Sequence, residues 1–351
     1  MEELQGYLSQ HNALIITDIN RHHLTGFKSS LGYLFIIGGR KILYVDSRYI
    51  EAAKTKTYTD VEVRLLGKLG DAIGDITREF GITAIEYEAE ITLRQDKLLK
   101  EQFGEVKAEA SEKLSDLILS ARSVKTEAEA ECIIRAQRSA EGAFQNILNF
   151  IKVGITEREI KLRLEYEMQR LGADGMSFET IAISGKNTSM PHGVPTDKPI
   201  ESGDFVTMDF GGIYKGYCSD MTRTVAVGYV TEEMERVYNT VLQAQLNAIE
   251  SVKSGVEAKT VDLAARGVIE KAGYGKCFQH STGHGVGLEI HEEPNLSPNS
   301  SKILTVGNIV TVEPGIYIEG KFGVRIEDML YVTENGSRNL TNSQKNLIIL
   351  K

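Results

Sequence analysis

Ser202-Gly203-Asp204-Phe205-Val206-Thr207-Met208-Asp209-Phe210-Gly211 aligns, 104 residues on, with Val306-Gly307-Asn308-Ile309-Val310-Thr311-Val312-Glu313-Pro314-Gly315. Five of the ten positions are identical or exchange one carboxylate for the other: the first glycine, the valine, the threonine, the acid and the last glycine. Neither stretch is low in complexity, so the match indicates an internal duplication. Helix signals repeat with it. Thr126-Glu127-Ala128-Glu129 and Thr156-Glu157-Arg158-Glu159 both have the form of a capping box. The first predicts a helix to about Ile151, with Ile133, Ala140, Phe144, Ile147 and Ile151 on one face; the second predicts a helix that stops at Gly172. Met234, Val237, Tyr238, Val241, Ala248 and Val252 form the apolar stripe of a long helix further on, and Gly154 and Gly172 recur as Gly255 and Gly273, each 101 residues later. Residues 123–351 therefore read as one domain made of two related helix–helix–sheet halves.

Residues 1–122 read as a separate, small mixed α/β domain. Short runs rich in β-formers fall at 13–16, 33–37 and 42–45, with Gly38-Gly39-Arg40-Lys41 as a hairpin turn, and helical patterns follow at 68–80 and 92–103. A chain of 351 residues suits two domains, and 41% hydrophobic with 25% charged residues is an ordinary globular composition. A formal charge of −9 argues against nucleic acid or an anionic membrane as partner. Two divalent cations in a carboxylate-rich site would cancel about four units of it. The acidic start, the lack of a long apolar run and three scattered cysteines (Cys132, Cys218, Cys277) predict a cytoplasmic protein with no signal peptide, membrane span or disulfide framework.

The acids of the repeat carry the chemistry. If the loop between the 205–210 and 219–227 strands centres on Tyr214-Lys215, Asp209 and Asp220 face each other across a hairpin. In the second half Glu313 and Glu327 centre on Gly320 in the same way. Directly opposed carboxylates repel, and a bound cation is a reason for a stable fold to keep them. Their flanks are apolar (Val206, Met208, Phe210; Val310, Val312, Ile316), as expected of a covered sheet. His284, between Gly283 and Gly285, adds an imidazole, which suits Mn, Co, Fe or Zn better than Ca or Mg. His192 and His291 lie in loop-like segments where they could polarise a carbonyl or move a proton, and His280 reads as no more than a neighbour of the site. Gly185-Lys186-Asn187-Thr188-Ser189 lacks the earlier glycine of a phosphate loop, and Gly283-His284-Gly285-Val286-Gly287 is not a dinucleotide fingerprint.

Met-Asp-Phe-Gly-Gly (208–212), Cys-Ser-Asp-Met-Thr-Arg-Thr (218–224), Gly-His-Gly-Val-Gly (283–287), Glu-Pro-Gly-Ile-Tyr (313–317) and Val-Arg-Ile-Glu-Asp (324–328) together resemble the pita-bread metallopeptidases, in the branch of Xaa-Pro aminopeptidases and prolidases. Leu-Thr-Gly-Phe (24–27) and Val-Asp-Ser-Arg (45–48) are similar to that family's N-terminal domain. The resemblance implies an N-terminal creatinase-like domain over 1–122 and a pita-bread catalytic domain over 123–351. It places two divalent metal ions, Mn first and Co, Zn or Fe as alternatives, on Asp209, Asp220, His284, Glu313 and Glu327. It implies further that His192 and His291 contact substrate, that Glu313 assists proton transfer, that Arg325 is a charged neighbour of the ligands, and that the chain is a homodimer acting on proline-containing peptides. Some relatives work without metal or only bind peptide, but none of the five ligand positions is substituted here. Asn295 stands where some prolidases carry a basic residue suited to a dipeptide carboxylate. An uncharged side chain offers no bidentate clamp, so the expected activity is that of an Xaa-Pro aminopeptidase, with Xaa-Pro dipeptidase as the alternative.

Overall fold

The computed structural model describes residues 1–351, which divide into two compact units, Met1–Arg122 and Ser123–Lys351. No helix is long and apolar enough to cross a membrane.

The first unit is a mixed six-stranded sheet in the order Val61–Leu65, Arg40–Val45, Gly32–Ile37, Ala13–Ile15, Ala84–Glu88, Lys107–Ser111. Alternate residues go to opposite faces. Leu14, Phe35 and Ile42 pack with Ile73 and Ile76 of Leu69–Phe80 and with Leu99 of Leu93–Phe103. Ala13, Ile15, Leu34 and Leu43 pack with Leu4 and Leu8 of Glu2–Gln10 and with Ile118 of Glu112–Ser123. The hairpin turn is tighter than expected: Ile37 pairs with Arg40, leaving only Gly38 and Gly39 at φ 54° and 82°. Two glycines accept the left-handed backbone that a two-residue turn requires.

In the second unit the duplication is visible in the backbone. Helices Glu127–Ile147 and Glu157–Arg170 recur as Glu232–Ser251 and Ala258–Lys271. Both capping boxes form, with the Glu129 and Glu159 carboxylates accepting from the Thr126 and Thr156 amides at 2.8 and 2.7 Å. The first helix ends at Ile147 rather than near Ile151, although Ile151 stays buried beyond it. Gly154 (φ 94°) donates to the Ile200 carbonyl at 2.9 Å, and its counterpart Gly255 (φ 82°) donates to Leu304 at 2.8 Å. Each helix pair buries its apolar stripe on its own half: Phe144 and Leu164 meet Val206, Met208 and Phe210, while Val241 and Ala265 meet Val310 and Val312.

Each half carries one long ribbon that starts in a large sheet and leaves it part-way. Phe205–Phe210 pairs with Met221–Val227 in a four-stranded sheet, then continues as Gly212–Tyr214 against Tyr217–Cys218. Ile309–Val312 pairs with Asp328–Val332 in a five-stranded sheet, then continues as Gly315–Ile318 against Phe322–Arg325. The chain crosses from one sheet to the next at Gly211, Ser219-Asp220, Glu313-Pro314 and Ile326-Glu327.

The register of the first ribbon differs from expectation. Asp209 faces Thr222, not Asp220, and Tyr214 faces Tyr217. The turn is Lys215-Gly216, both at positive φ (50° and 86°), one residue later than Tyr214-Lys215. With the turn one residue earlier, Tyr214 and Lys215 would both have to take the left-handed backbone, whereas on the observed setting glycine takes one of the two positions. Moving the turn by one residue moves every partner by two. Two is the strand period, so Asp220 stays on the face of Asp209, diagonal to it. The strand expected over 219–227 also breaks at Ser219-Asp220. There the Gly212 amide donates to Ser219 Oγ at 3.0 Å, and a Cβ at Gly211 would lie 1.8 Å from the Ser219 carbonyl oxygen. The second ribbon has the expected register: Val312 faces Asp328 and Ile318 faces Phe322 about Gly320 (φ 71°), leaving Glu313 opposite Glu327 between the two paired stretches.

Candidate metal centre

The breaks in the two ribbons bring the acids together. One ligand atom each of Asp220, His284 and Glu327 lies within 4.8 Å of the others. His284 Nε2 is 3.6 Å from Asp220 Oδ2 and 3.4 Å from Glu313 Oε1. Asp209 joins the group through its charge, which raises the proton affinity of Asp220, Glu313 and Glu327.

His284 is aimed by its neighbours. A Cβ at Gly283 would lie 2.0 Å from the Thr311 carbonyl oxygen, and one at Gly285 2.4 Å from that of Glu293. Only glycine permits the strand to run this close to both of its neighbours. The His284 amide donates to Thr311 Oγ1 at 3.1 Å, and Nδ1 lies 3.0 Å from the Gly285 carbonyl oxygen. A carbonyl only accepts, so Nδ1 carries the proton and Nε2 presents its lone pair to the acids. Burial pushes the His284 pKa down to about 4, so the ring is neutral at physiological pH.

Burial, then repulsion from Glu327, drives the Asp220 carboxyl well above the usual carboxylate range. Glu327 is raised by burial and then by Glu313, and Glu313 is pushed up to about 8, burial again leading. Asp209 Oδ1, Asp220 Oδ1 and Glu327 Oε1 are buried with no hydrogen-bond partner. Three buried acceptor oxygens lacking donors, beside an imidazole lone pair, fit a cation: it removes the repulsion and the desolvation cost together. The donor set of carboxylates with one imidazole suits Mn, Fe, Co or Zn.

A charged tether fixes Asp209. Arg325 forms a buried ion pair with Asp209 Oδ2 and donates to the Tyr317 hydroxyl at 2.9 Å, Thr222 Oγ1 at 3.1 Å and the Pro191 carbonyl oxygen at 3.2 Å. Thr222 in turn donates to Glu327 Oε2 at 2.7 Å, linking the first ribbon to the second. Behind them Arg223, wholly buried, donates to the carbonyls of Thr222 and Glu327 and to Asp328 Oδ1 at 2.8 Å.

The other histidines divide. His291 is exposed and packs edge to face on the His284 ring, centroids 4.4 Å apart. His192 is exposed beside Pro191, whose carbonyl holds Arg325. His280 is more than a bystander: its Nε2 lies 2.9 Å from the Tyr317 hydroxyl and its Nδ1 2.8 Å from the Ser281 carbonyl oxygen. Arg325 already donates to that hydroxyl, so Tyr317 donates to His280, and the chain Asp209–Arg325–Tyr317–His280 is continuous. Thr222, Arg223, Thr311 and Tyr317 were not singled out from the sequence as site residues. Thr311 did match Thr207 in the repeat, and the other three lie inside the quoted motifs.

The sequence profile of metallopeptidase family M24 matches residues 131–334, and that of the creatinase/prolidase N-terminal domain matches 4–124. An Xaa-Pro dipeptidase of Pyrococcus horikoshii is 38% identical over 95% of this chain and 93% of its own. The solved structure of an Xaa-Pro dipeptidase from Bacillus anthracis superposes with a TM-score of 0.94 at 39% identity, covering 99% of this chain and 98% of that one. That of an X-Pro aminopeptidase from Thermotoga maritima superposes with a TM-score of 0.93 at 36% identity, covering 99% of both.

Proposed function

The chain belongs to metallopeptidase family M24, and from that premise we propose that it hydrolyses Xaa-Pro peptide bonds with the Xaa-Pro dipeptide as its preferred substrate. The observation that carries the metallopeptidase chemistry is the set of unpartnered buried oxygens on Asp209, Asp220 and Glu327 around the neutral His284 Nε2. Together with Glu313 these residues would hold two divalent ions, Mn in our reading, with Co, Zn or Fe as alternatives. Bound there, the ions would supply a water acidic enough to ionise near neutral pH and an electrophile for the scissile carbonyl.

The chain's own groups supply the remainder. Glu313 would take the proton the attacking water loses and pass it to the proline nitrogen, which leaves as a neutral amine only when protonated. His192 and His291 would donate N–H groups to the oxygen of the tetrahedral adduct. Arg325 would hold the Asp209 carboxylate in place through their ion pair. The homodimer and the cytoplasmic location expected from the sequence belong to the same proposal.

The dipeptide preference departs from the aminopeptidase expected from Asn295. It is supported by the number of relatives and solved neighbours, from Pyrococcus and Bacillus, that bear the name Xaa-Pro dipeptidase or prolidase. The aminopeptidase remains the second reading, favoured by the uncharged Asn295 and by the Thermotoga neighbour. Chelated protein reconstituted with Mn, offered Xaa-Pro beside Xaa-Pro-Yaa-Zaa, decides between them by product. Cleavage of the dipeptide alone is expected. Faster cleavage of the tetrapeptide overturns the dipeptidase reading, and cleavage of neither overturns the peptidase.

A further inference from the structure

Glu157 is fully buried, yet everything that donates to its carboxylate is neutral. Oε1 accepts from the Ser184 amide at 2.7 Å, the Ser184 hydroxyl at 3.0 Å and Asn187 Nδ2 at 2.9 Å. Oε2 accepts from the Thr196 amide at 2.9 Å and the Thr196 hydroxyl at 2.7 Å. Glu157 opens the helix Glu157–Arg170, where the backbone dipoles favour an anion. The chain between its two sets of partners leaves the sheet after Ser184 and comes back against the start of this helix at Thr196, whose carbonyl accepts from the Arg158 amide at 3.0 Å, and His192 lies within that excursion. One oxygen thus holds the outgoing limb and the other the returning limb. Further along, Thr188 Oγ1 accepts from the Gly323 amide at 2.8 Å and the Pro191 carbonyl from Arg325, so the clipped loop rests on the second ribbon.

We infer that Glu157 is a positioning residue, a carboxylate clip that closes the 185–195 loop at both ends and so sets where His192 stands relative to the Arg325–Asp209 pair. The effect on catalysis rests on the role proposed for His192; the clip itself does not. The clip needs acceptors on both sides, which a carboxylate's two oxygens provide, whereas the amide of glutamine accepts on one side only. In Glu157→Gln the three donors of the Ser184 limb retain the amide oxygen, and the new NH2 meets the Thr196 N–H, two donors in opposition. The returning limb is therefore the one released.

The test uses the full chain loaded with Mn. Hydrogen exchange of the returning-limb amides, 192–196, should speed up at least tenfold in Glu157→Gln, while the 283–285 and 309–312 strands stay protected and the bound Mn is unchanged. Should Glu157→Gln fail to fold, Thr196→Val, which removes one donor to Oε2, should give the same pattern more weakly. Exchange unchanged in a folded variant overturns the clip, whatever happens to activity. The catalytic consequence is read from a double-mutant cycle. Glu157→Gln and His192→Ala should each lower kcat, and adding the first to the second should lower it by less than twofold more. Independent, multiplying losses would show that Glu157 does not act through His192. Normal kcat in His192→Ala would instead remove the proposed role of His192 and leave the exchange result standing.

Discussion

Thr222 Oγ1 donates a 2.7 Å hydrogen bond to Glu327 Oε2, joining the first ribbon to the second at the centre of the acidic cluster. Thr222 also faces Asp209 across its own hairpin and accepts from Arg325 Nε, so one hydroxyl orients an acid of the second half and the guanidinium tethering an acid of the first.

Thr222→Val should therefore weaken metal binding without dismantling the site. Valine keeps the volume and removes the only hydroxyl available to Glu327. Metal Kd is expected to rise about 10-fold, at the lower end of what loss of an outer partner costs. Competition with a fluorescent chelator measures this; an unchanged Kd would show that Thr222 does not orient Glu327.

Asp220→Asn should separate stability from activity. Burial and the Glu327 charge oppose ionisation of Asp220, so a neutral isostere relieves repulsion in the metal-free protein. Its metal-free Tm at pH 8 should equal or exceed that of wild type, while turnover falls by more than the ~100-fold upper range for outer partners. Activity within about threefold of wild type would remove Asp220 from the ligand set; a small loss does not fit a direct ligand.

Metal binding should release protons and be linked to pH. Glu313 has its pKa raised to about 8, burial first, so the folded metal-free protein retains a proton that the unfolded chain sheds near the ordinary glutamate value. A raised folded pKa contributes stability that is present at low pH and lost as pH rises through it. The metal-free Tm should then fall between pH 5 and 8, and the increase in Tm on adding Mn should grow across the same range. Scanning calorimetry with and without Mn at half-unit steps checks both signs; a Mn effect that is flat with pH contradicts the assignment.

Gly283→Ala should open the sheet beneath His284. The added Cβ would sit 2.0 Å from the Thr311 carbonyl oxygen, a backbone atom with no rotamer to move. Overpacking of this kind costs about 1–3 kcal/mol and should lower Tm by several degrees. Because Thr311 Oγ1 holds the His284 amide, metal affinity should fall with it. Wild-type Tm and affinity together would mean the strands separate freely.

The sequence by itself determined the duplication, the helices with their capping boxes and the candidate acids, because these are local or repeat-borne signals. Thr-x-x-Glu satisfies its own backbone wherever it lies, and an acid kept in an apolar strand twice over is legible without coordinates. It determined the second ribbon's register as well, since Gly320 is the single residue at the turn that favours a left-handed backbone. Tertiary structure decided the rest. The first ribbon had two adjacent turn settings, and Lys215-Gly216 won because glycine takes the second positive φ, placing Thr222 and not Asp220 opposite Asp209. Pairings such as Thr222 with Glu327, Arg325 with Asp209, and Glu157 with Thr196 join residues 105, 116 and 39 positions apart. The first two pairs become neighbours only when the ribbons leave their sheets and meet, and the third only when the 185–195 loop folds back on the helix start, events of chain closure that no local propensity encodes.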